Sequence, residues 1–210
     1  VGGAVVKDPA AQVEENAEVS LDGHPTRPEG PLHIMLHKPA GVVTAREDAR
    51  FETVFGLLPE MWCRKDLSAV GRLDRDVTGL LLLTTDGVLA HRLISPRWTV
   101  EKIYRAKVSG TLTPDCVQAM AAGVVLSDFT ARPARLEIEE SDTGLLTVTE
   151  GKFHQVKRMF EKVGCPVLTL TRLSVGGVAL DPNLAPGQCR LLAPAEAARL
   201  YAITALEGDT

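Results

Sequence analysis

The sequence predicts an α+β fold, with a mixed but largely antiparallel sheet and flanking helices. Three short β-type runs, at 124–126, 132–138 and 145–149, follow one another with only polar turns between them, which is typical of antiparallel pairing. The candidate helices are few and do not alternate regularly with strands, as they would around a doubly wound parallel sheet. The 210 residues are enough to bury a substantial core.

The N-terminal part of the chain is predicted to lie outside this sheet. Residues 1–24 contain two short alternating runs, at 5–9 and 17–21, and are interpreted as the remnant of a small module. Residues 25–31 hold three prolines and a glycine, a composition that marks a stiff linker. Residues 32–210 are therefore predicted to form the main domain.

The elements of the main domain follow from apolar periodicity and from turn and capping residues. Alternating or continuous apolar runs predict further strands at 33–37, 42–45, 67–73, 78–84, 102–108, 167–172 and 173–180. Helices are predicted at 51–58, 87–94, 114–122, 156–163 and 195–205. Asp86 is placed to cap the second of these helices and Gly123 to end the third. Gly176 and Gly177 predict a bulge in the last strand.

Composition and residue spacing exclude several classes of protein. The chain is 45% hydrophobic and 24% charged, which is ordinary for a soluble globular protein, and no apolar run is as long as a membrane span. The four cysteines lie far apart and are expected to be reduced thiols of a cytoplasmic protein. The five histidines show no metal-ligand spacing, so no metal is expected.

The charge of the chain is unevenly distributed, although its net value is only −4. One basic cluster, opposed only by Glu101, consists of Arg92, Arg97, Lys102, Arg105 and Lys107. A second cluster, opposed only by Glu161, consists of Lys152, Lys157, Arg158, Lys162 and Arg172. Phosphate binding depends on the local field, so these clusters are compatible with a nucleic-acid partner, although a solvated face is an equal alternative.

Asp74 is the most informative candidate for chemistry. It lies in a turn directly ahead of the apolar run 80–83, which is predicted to be a strand buried on both faces. A carboxylate at the mouth of such a strand is held rigidly and partly shielded from water, as a catalytic acid, base or nucleophile requires. The alternatives are a charged strand-entry loop and a glycosidase-like pair with Asp76. Phosphate-loop, dinucleotide, serine-hydrolase and zinc-protease motifs are absent from the sequence.

Five ordered blocks then make the sequence recognisable. They are HKPAGVVTA (37–45), GRLDRDVTGLLLLTTDG (71–87), SPRWTVEKIYRAKVSG (95–110), EGKFHQVKRMFEKVG (150–164) and LAPGQCRLLAPAE (184–196). With them the chain resembles the ribosomal RNA pseudouridine synthases, and among these the Rsu type that acts on small-subunit rRNA. The resemblance runs from His33 to about Ala195 and implies the pseudouridine synthase fold.

The resemblance implies a reaction that needs no metal or other cofactor. The enzyme breaks the N1–C1′ bond of a uridine, turns the uracil and rejoins it through C5. Asp74 matches the catalytic carboxylate, as nucleophile or as the base that starts elimination at the ribose. Tyr104 matches the tyrosine that stacks on the uracil and takes part in proton transfer. Lys157 matches the cation that pairs with the carboxylate, with Arg158 as the alternative.

A uridine in folded RNA must be flipped out to reach a shielded carboxylate, so RNA contacts are expected around Asp74. Arg72 is expected to fill the vacated space or to hold a phosphate of the flipped nucleotide. The remaining expected contacts are Arg75, Arg92, Arg97, Lys102, Arg105, Lys152, His154 and Arg158. One departure from the family pattern is that residues 1–24 resemble only the trailing strands of an S4-type RNA-binding module.

The expected partner is 16S ribosomal RNA or an assembling small subunit, and the expected target is the uridine-516 type of site. The protein is expected to be a monomer without a membrane partner. Three alternatives stay open at this point. They are a large-subunit rRNA pseudouridine synthase, a non-catalytic RNA-binding ribosome-assembly protein, and a hydrolase that uses Asp74 together with Asp76.

Overall fold

The computed structural model describes residues 3–7, 19–21, 24–26 and 30–206. The chain divides into two compact units, Val1–Pro31 and Leu32–Thr210. In the first unit, β1 (Val19–Leu21) and β2 (His24–Thr26) pair antiparallel. Residues 5–7 are not in a strand, and the rest of the predicted run 5–9 lies outside the described residues, as do 17–18. The interpretation of residues 1–24 as a module remnant, and of 25–31 as a linker, stays a prediction.

The second unit contains strands and helices in irregular order along the chain. Its strands are β3 (His33–Lys38), β4 (Ser68–Ala69), β5 (Thr78–Thr84), β6 (Lys102–Val108), β7 (Arg135–Glu140), β8 (Thr143–Val148), β9 (Val167–Val175), β10 (Val178–Ala179) and β11 (Cys189–Leu191). Its α-helices are α1 (Gly87–Ile94), α2 (Pro114–Ala122), α3 (Gln155–Lys162) and α4 (Pro194–Ile203). Two short 3-10 helices are Glu60–Trp62 and Pro96–Trp98.

These strands form one mixed sheet, as the sequence predicted. The order across it is β11-β3-β5-β9-β6-β8-β7, with β4 paired to β5 and β10 paired to β9. Within the described residues, β5 and β9 are the one parallel pair, and the other pairings are antiparallel. The predicted fold class, a largely antiparallel mixed sheet with flanking helices, is therefore confirmed.

The leucine strand β5 lies at the centre and packs on both of its faces. Leu81 and Leu83 belong to the apolar cluster on one side of the sheet, whereas Leu80 and Leu82 belong to the cluster on the other side. All four side chains are buried, which confirms the prediction from the unbroken run. Each such side chain contributes about 1.5–3 kcal/mol by its removal from water. The strand is therefore a rigid base for the turn that precedes it.

A close approach of backbones fixes the parallel pair of β5 and β9. Gly79 lies opposite Arg172 and has a φ of 107°, a conformation that favours glycine. A Cβ atom at this position would lie 2.2 Å from the carbonyl oxygen of Arg172, so no other residue fits. The glycine therefore lets the two central strands meet beside the turn that carries Asp74.

Several sequence predictions about local structure are wrong. Residues 51–58 do not form a helix, because the amide of Val54 donates to the distant carbonyl of Val43 at 3.0 Å instead of to a preceding helical turn, and irregular turns follow. The predicted strand 42–45 is reduced to a single bridge at Val43, the predicted strand 124–126 to a single bridge at Val125, and the predicted strand 67–73 to Ser68–Ala69. Gly176 and Gly177 do not form a bulge, because both have positive φ and make a two-residue hairpin turn between β9 and β10.

Candidate active site

A buried lysine holds the turn that presents Asp74. Lys38, at the end of β3, is fully buried, and its Nζ donates to the carbonyl oxygens of Pro39 at 3.0 Å, Arg75 at 3.3 Å and Val77 at 2.9 Å. The last two carbonyls belong to the turn directly after Asp74. Burial lowers the pKa of Lys38 to about 8, although the charges of Asp76 and Asp74 oppose this shift. Lys38 was not among the residues predicted for the site, although its position in the HKPAGVVTA block was an available signal.

We expect Lys38→Met to loosen this turn. Three backbone carbonyls would lose a charged donor, so the free energy of unfolding is expected to fall by about 2–4 kcal/mol, measured by urea denaturation at pH 7. The pKa of Lys38 is about 8 in the folded protein against an ordinary value of 10.5. Between pH 8 and 10.5 the unfolded chain therefore binds more protons than the folded chain. Stability of the parent chain is therefore expected to rise with pH across this window, relative to Lys38→Met. If the free energy of unfolding depends on pH in the same way in the parent and in Lys38→Met, Lys38 does not have this role.

Residues of the HKPAGVVTA block also hold the backbone of this turn. The hydroxyl of Thr44 donates to the carbonyl of Leu73 at 2.9 Å and accepts from its amide at 3.1 Å. The amide of Gly41 donates to the carbonyl of Arg75 at 2.8 Å. The backbone on both sides of Asp74 is thus bonded to one neighbouring loop.

Lys157 of α3 bridges the two carboxylates of the turn. Its Nζ lies 3.1 Å from an oxygen of Asp74 and 2.7 Å from an oxygen of Asp76. The Asp74 side chain is 28% exposed, against 73% for Asp76, so Asp74 is the shielded member. The hydrogen bond from Lys157 lowers the pKa of Asp76. Burial lowers the pKa of Lys157, but the hydrogen bonds and charges of both aspartates outweigh it and leave this pKa above its usual value.

The start of α3 brings a histidine and an aromatic ring to the same place. His154 precedes the helix in a left-handed conformation with a φ of 50°, and its Nε2 lies 3.4 Å from Asp74. The ring of Phe153 stacks on the His154 ring at 3.8 Å between centroids and is 76% exposed. The sequence analysis did not single out Phe153, although an aromatic residue inside the basic EGKFHQVKRM block was a usable signal.

Arg158, the alternative partner for Asp74, points elsewhere. Its guanidinium pairs with Asp128 and donates to the hydroxyl of Ser127 at 3.1 Å. Neighbouring positions of a helix point about 100° apart, so only one of the two adjacent cations faces the turn. That cation is Lys157.

Two adjoining cavities surround the shielded carboxylate and share Arg72, Asp74, Tyr104 and His154 in their walls. The smaller has a volume of about 60 Å³ and is also lined by Leu170. The larger has a volume of about 610 Å³. Tyr104 on β6 is buried, with its side chain directed to the face of the sheet that carries the core beneath Asp74. The structure thus brings Asp74, Tyr104 and Lys157 to one place.

The other predicted RNA contacts divide into residues at the cavities and residues away from them. Arg72, Arg75, Lys152 and His154 line the larger cavity. Arg75 also lies over the Phe51 ring at 4.2 Å, and Lys152 over the Phe129 ring at 3.8 Å. Neither cavity includes Arg92, Arg97, Arg105 or Arg158 in its wall. Arg97 is exposed, and Arg92 is held by the Trp98 ring at 4.6 Å and the carbonyl of Thr204 at 2.8 Å.

Two of the predicted RNA contacts lie where the sequence did not indicate. Lys102 lines the larger cavity but is not on the surface, because it is 7% exposed and its Nζ donates to the carbonyl of Val100 at 2.9 Å. Arg105 lies on the face of the sheet opposite to Tyr104, because successive side chains of a strand alternate, and it pairs there with Glu139 at 2.8 Å. Arg105 is therefore not directed to the Asp74 cavities.

The described part of the chain has neither a metal-binding cluster nor a membrane-spanning helix. No group of three histidine, cysteine, aspartate or glutamate side chains there is arranged to hold a metal ion. None of the helices described is long and apolar enough to cross a membrane.

The chain is similar to known proteins over most of its length. Residues 32–162 match the family described as RNA pseudouridylate synthase. An uncharacterised RNA pseudouridine synthase of Bacillus subtilis is 42% identical over 206 residues, which cover 92% of this chain and 86% of that protein. The ribosomal small subunit pseudouridine synthase A of Escherichia coli K12 is 41% identical over 202 residues, covering 94% and 87%. A pseudouridylate synthase crystal structure superposes with a TM-score of 0.77 at 34% identity, covering 95% and 86%.

Proposed function

The chain belongs to the RNA pseudouridylate synthase family and is a pseudouridine synthase, and from this premise we propose that it isomerises one uridine of small-subunit (16S) ribosomal RNA, of the uridine-516 type. The observation that carries the proposed mechanism is the shielded Asp74 carboxylate, 3.1 Å from the Lys157 ammonium and in one cavity with Tyr104. The relatives named for the small ribosomal subunit favour that RNA over the large-subunit alternative.

In the proposed reaction each of the three residues has a separate task. Asp74 acts at the ribose, as nucleophile at C1′ or as the base that starts elimination, and the N1–C1′ bond breaks. The uracil turns against the Tyr104 ring, a new C1′–C5 bond forms, the C5 proton leaves and N1 gains a proton. Lys157 orients the carboxylate through the ion pair at 3.1 Å.

The mouth of the larger cavity offers groups that fit an everted nucleotide. Arg72 is exposed, lines both cavities and has no carboxylate within ion-pair distance among the described residues, so its guanidinium is available to RNA. Phe153 presents an exposed ring on which an unstacked base can lie, because base–aromatic stacking is favourable for every base. Lys152 and His154 supply positive charge and hydrogen-bond donors beside them.

The remaining alternatives are less well supported. A hydrolase with paired carboxylates would need two acids that face a common substrate, but Asp76 is largely exposed and shares the Lys157 ammonium with Asp74. A non-catalytic RNA-binding protein would have no need of Asp74, Tyr104 and Lys157 around one cavity. The monomeric state and the cytoplasmic location stay predictions.

The proposed substrate is tested by mapping pseudouridine in small-subunit rRNA from cells that lack this protein. We expect one pseudouridine of 16S rRNA to disappear and to return when the parent gene is supplied. Purified protein is expected to restore the same site on rRNA or small subunits isolated from the deficient cells. An unchanged 16S pattern with a lost site in large-subunit rRNA would overturn the assignment in favour of the large-subunit alternative.

A further inference from the structure

Two buried cations line the larger cavity without a carboxylate partner. Lys102 makes one hydrogen bond, to the carbonyl of Val100. Arg172 is 3% exposed, and its Nε donates to the carbonyl of Leu80 at 2.8 Å while its Nη1 lies 3.5 Å from the Tyr104 hydroxyl. Its Nη2 is buried and has no hydrogen-bond partner in the described part of the chain.

This arrangement is costly for a structure without a ligand. A buried charge is normally paired, because removal from water is repaid only by an opposite charge or by a full set of hydrogen bonds. No aspartate or glutamate among residues 30–206 forms an ion pair with Lys102 or Arg172. Burial, followed by the charge of Arg172, lowers the pKa of Lys102 to about 8, so the two cations also oppose one another. An anion between them would relieve both costs.

The wall of the cavity has the charge of an anion site. Its cationic side chains are Arg72, Arg75, Lys102, Lys152 and Arg172, and its one carboxylate among the described residues is Asp74. Arg72, Arg75 and Lys152 are exposed, whereas Lys102 and Arg172 are shielded from water, where a charge–charge contact is much stronger. A guanidinium edge beside an ammonium matches the oxygens of a phosphate group.

We propose that Lys102 and Arg172 form an anion subsite that takes a phosphodiester group of the RNA backbone next to the uridine held at Asp74. This inference rests on the proposed function and deepens it, because an everted nucleotide brings a phosphate on each side into the cavity. The subsite fixes the position of the ribose relative to Asp74 through the cationic groups of Lys102 and Arg172. It therefore acts on binding and alignment of the RNA.

The test replaces single phosphates in the substrate and needs no variant of the protein. Short RNAs that contain the mapped uridine are synthesised with an uncharged methylphosphonate at the 5′ or the 3′ flanking linkage, and the control RNA carries it four linkages away. For the parent protein we expect one flanking replacement to lower kcat/KM about ten-fold to a hundred-fold, the range of a lost charged hydrogen bond, and the distant one to have little effect.

A protein variant then assigns the loss to the subsite. In Lys102→Met the activity on unmodified RNA is expected to fall, and the flanking methylphosphonate is expected to cause a smaller further loss than in the parent, because Arg172 alone remains to contact the phosphate. Lys107→Met is the matched control, because Lys107 is on the same strand, faces the other side of the sheet and pairs with Asp142 at 3.3 Å. It should retain the full sensitivity to the modified linkage.

The outcomes separate this inference from the function on which it rests. If kcat/KM of the parent protein is unchanged by a methylphosphonate at either flanking linkage, the subsite alone is overturned. An equal methylphosphonate loss in the parent and in Lys102→Met would overturn it too. If inorganic phosphate binds the parent more tightly than Lys102→Met while both flanking linkages are inert, the site takes a free anion and the backbone assignment is wrong. No product from the short unmodified RNA, nor from rRNA or small subunits of the deficient cells, would overturn the proposed function itself.

Discussion

Asp74→Asn is expected to abolish pseudouridine formation, with turnover lowered at least about a thousand-fold. Asparagine fills the same space but has no charge with which to attack the ribose or to remove a proton. The turn that carries residue 74 is held by backbone bonds from Lys38, Thr44 and Gly41, none of which involves the Asp74 side chain. The variant is therefore expected to unfold at nearly the parent temperature and to bind rRNA with nearly the parent affinity.

Asp76→Asn is the matched control for this change. It removes the same charge two residues further along, from a side chain that is mostly exposed but also bonded to Lys157. We expect it to keep most of the turnover, because the Lys157 contact with Asp74 remains. If the Asp74→Asn variant retains activity and the Asp76→Asn variant loses it, the assignment is contradicted and the paired-carboxylate hydrolase is supported.

Lys157→Met is expected to have the second largest effect, a loss of turnover on the order of a hundred-fold. The ammonium is the nearest cation to Asp74 and also joins it to Asp76, so its removal leaves the two carboxylates without the donor that bonds both of them. The carboxylate of residue 74 would then no longer be held by a charged hydrogen-bond donor in the position from which it acts on the ribose. The pKa of Asp76 is expected to rise in the same variant, since the hydrogen bond from Lys157 is what lowers it.

Rescue by a conservative variant distinguishes an effect on the site from an effect on folding. Lys157→Arg keeps the charge and is expected to restore part of the turnover. Arg158→Met is the control on the same helix, because its guanidinium pairs with Asp128 away from the cavity. Parent-like turnover in Lys157→Met, or an equal loss in Arg158→Met, would show that Lys157 does not act on the Asp74 carboxylate.

The parts of the site that depend on local sequence were predictable. The unbroken leucines at 80–83 fixed a strand buried on both faces, and the preceding turn then had to place Asp74 at its mouth. The position of Lys157 relative to Asp74 depends on how α3 crosses the sheet, which spacing alone does not determine. The family resemblance supplied that pairing, and the 3.1 Å contact agrees with it.

The parts that depend on long-range packing were not predictable. Lysine is usually a surface residue, but in the fold Lys38 is buried and donates to three backbone carbonyls, two of them in the Asp74 turn. Lys102 is also buried and faces a cavity. From the sequence, Arg172 was only one charge in a basic cluster. Its place in the centre of the sheet depends on the pairing of β5 with β9, which sets Arg172 opposite Gly79 and which the local sequence does not show. Residues 51–58 have helical spacing, but the amide of Val54 donates its hydrogen bond to the distant carbonyl of Val43 and not to a helical neighbour.

The structure of Asp74→Asn bound to an RNA that contains the mapped uridine tests the central claim most directly. We expect the uridine to lie outside the RNA stack, its ring against Tyr104 and its C1′ atom about 3–3.5 Å from the side chain of residue 74, the separation of reacting groups in a productive complex. A uridine that stays stacked in the RNA, or one that binds with its ribose beyond reach of residue 74, would contradict the claim.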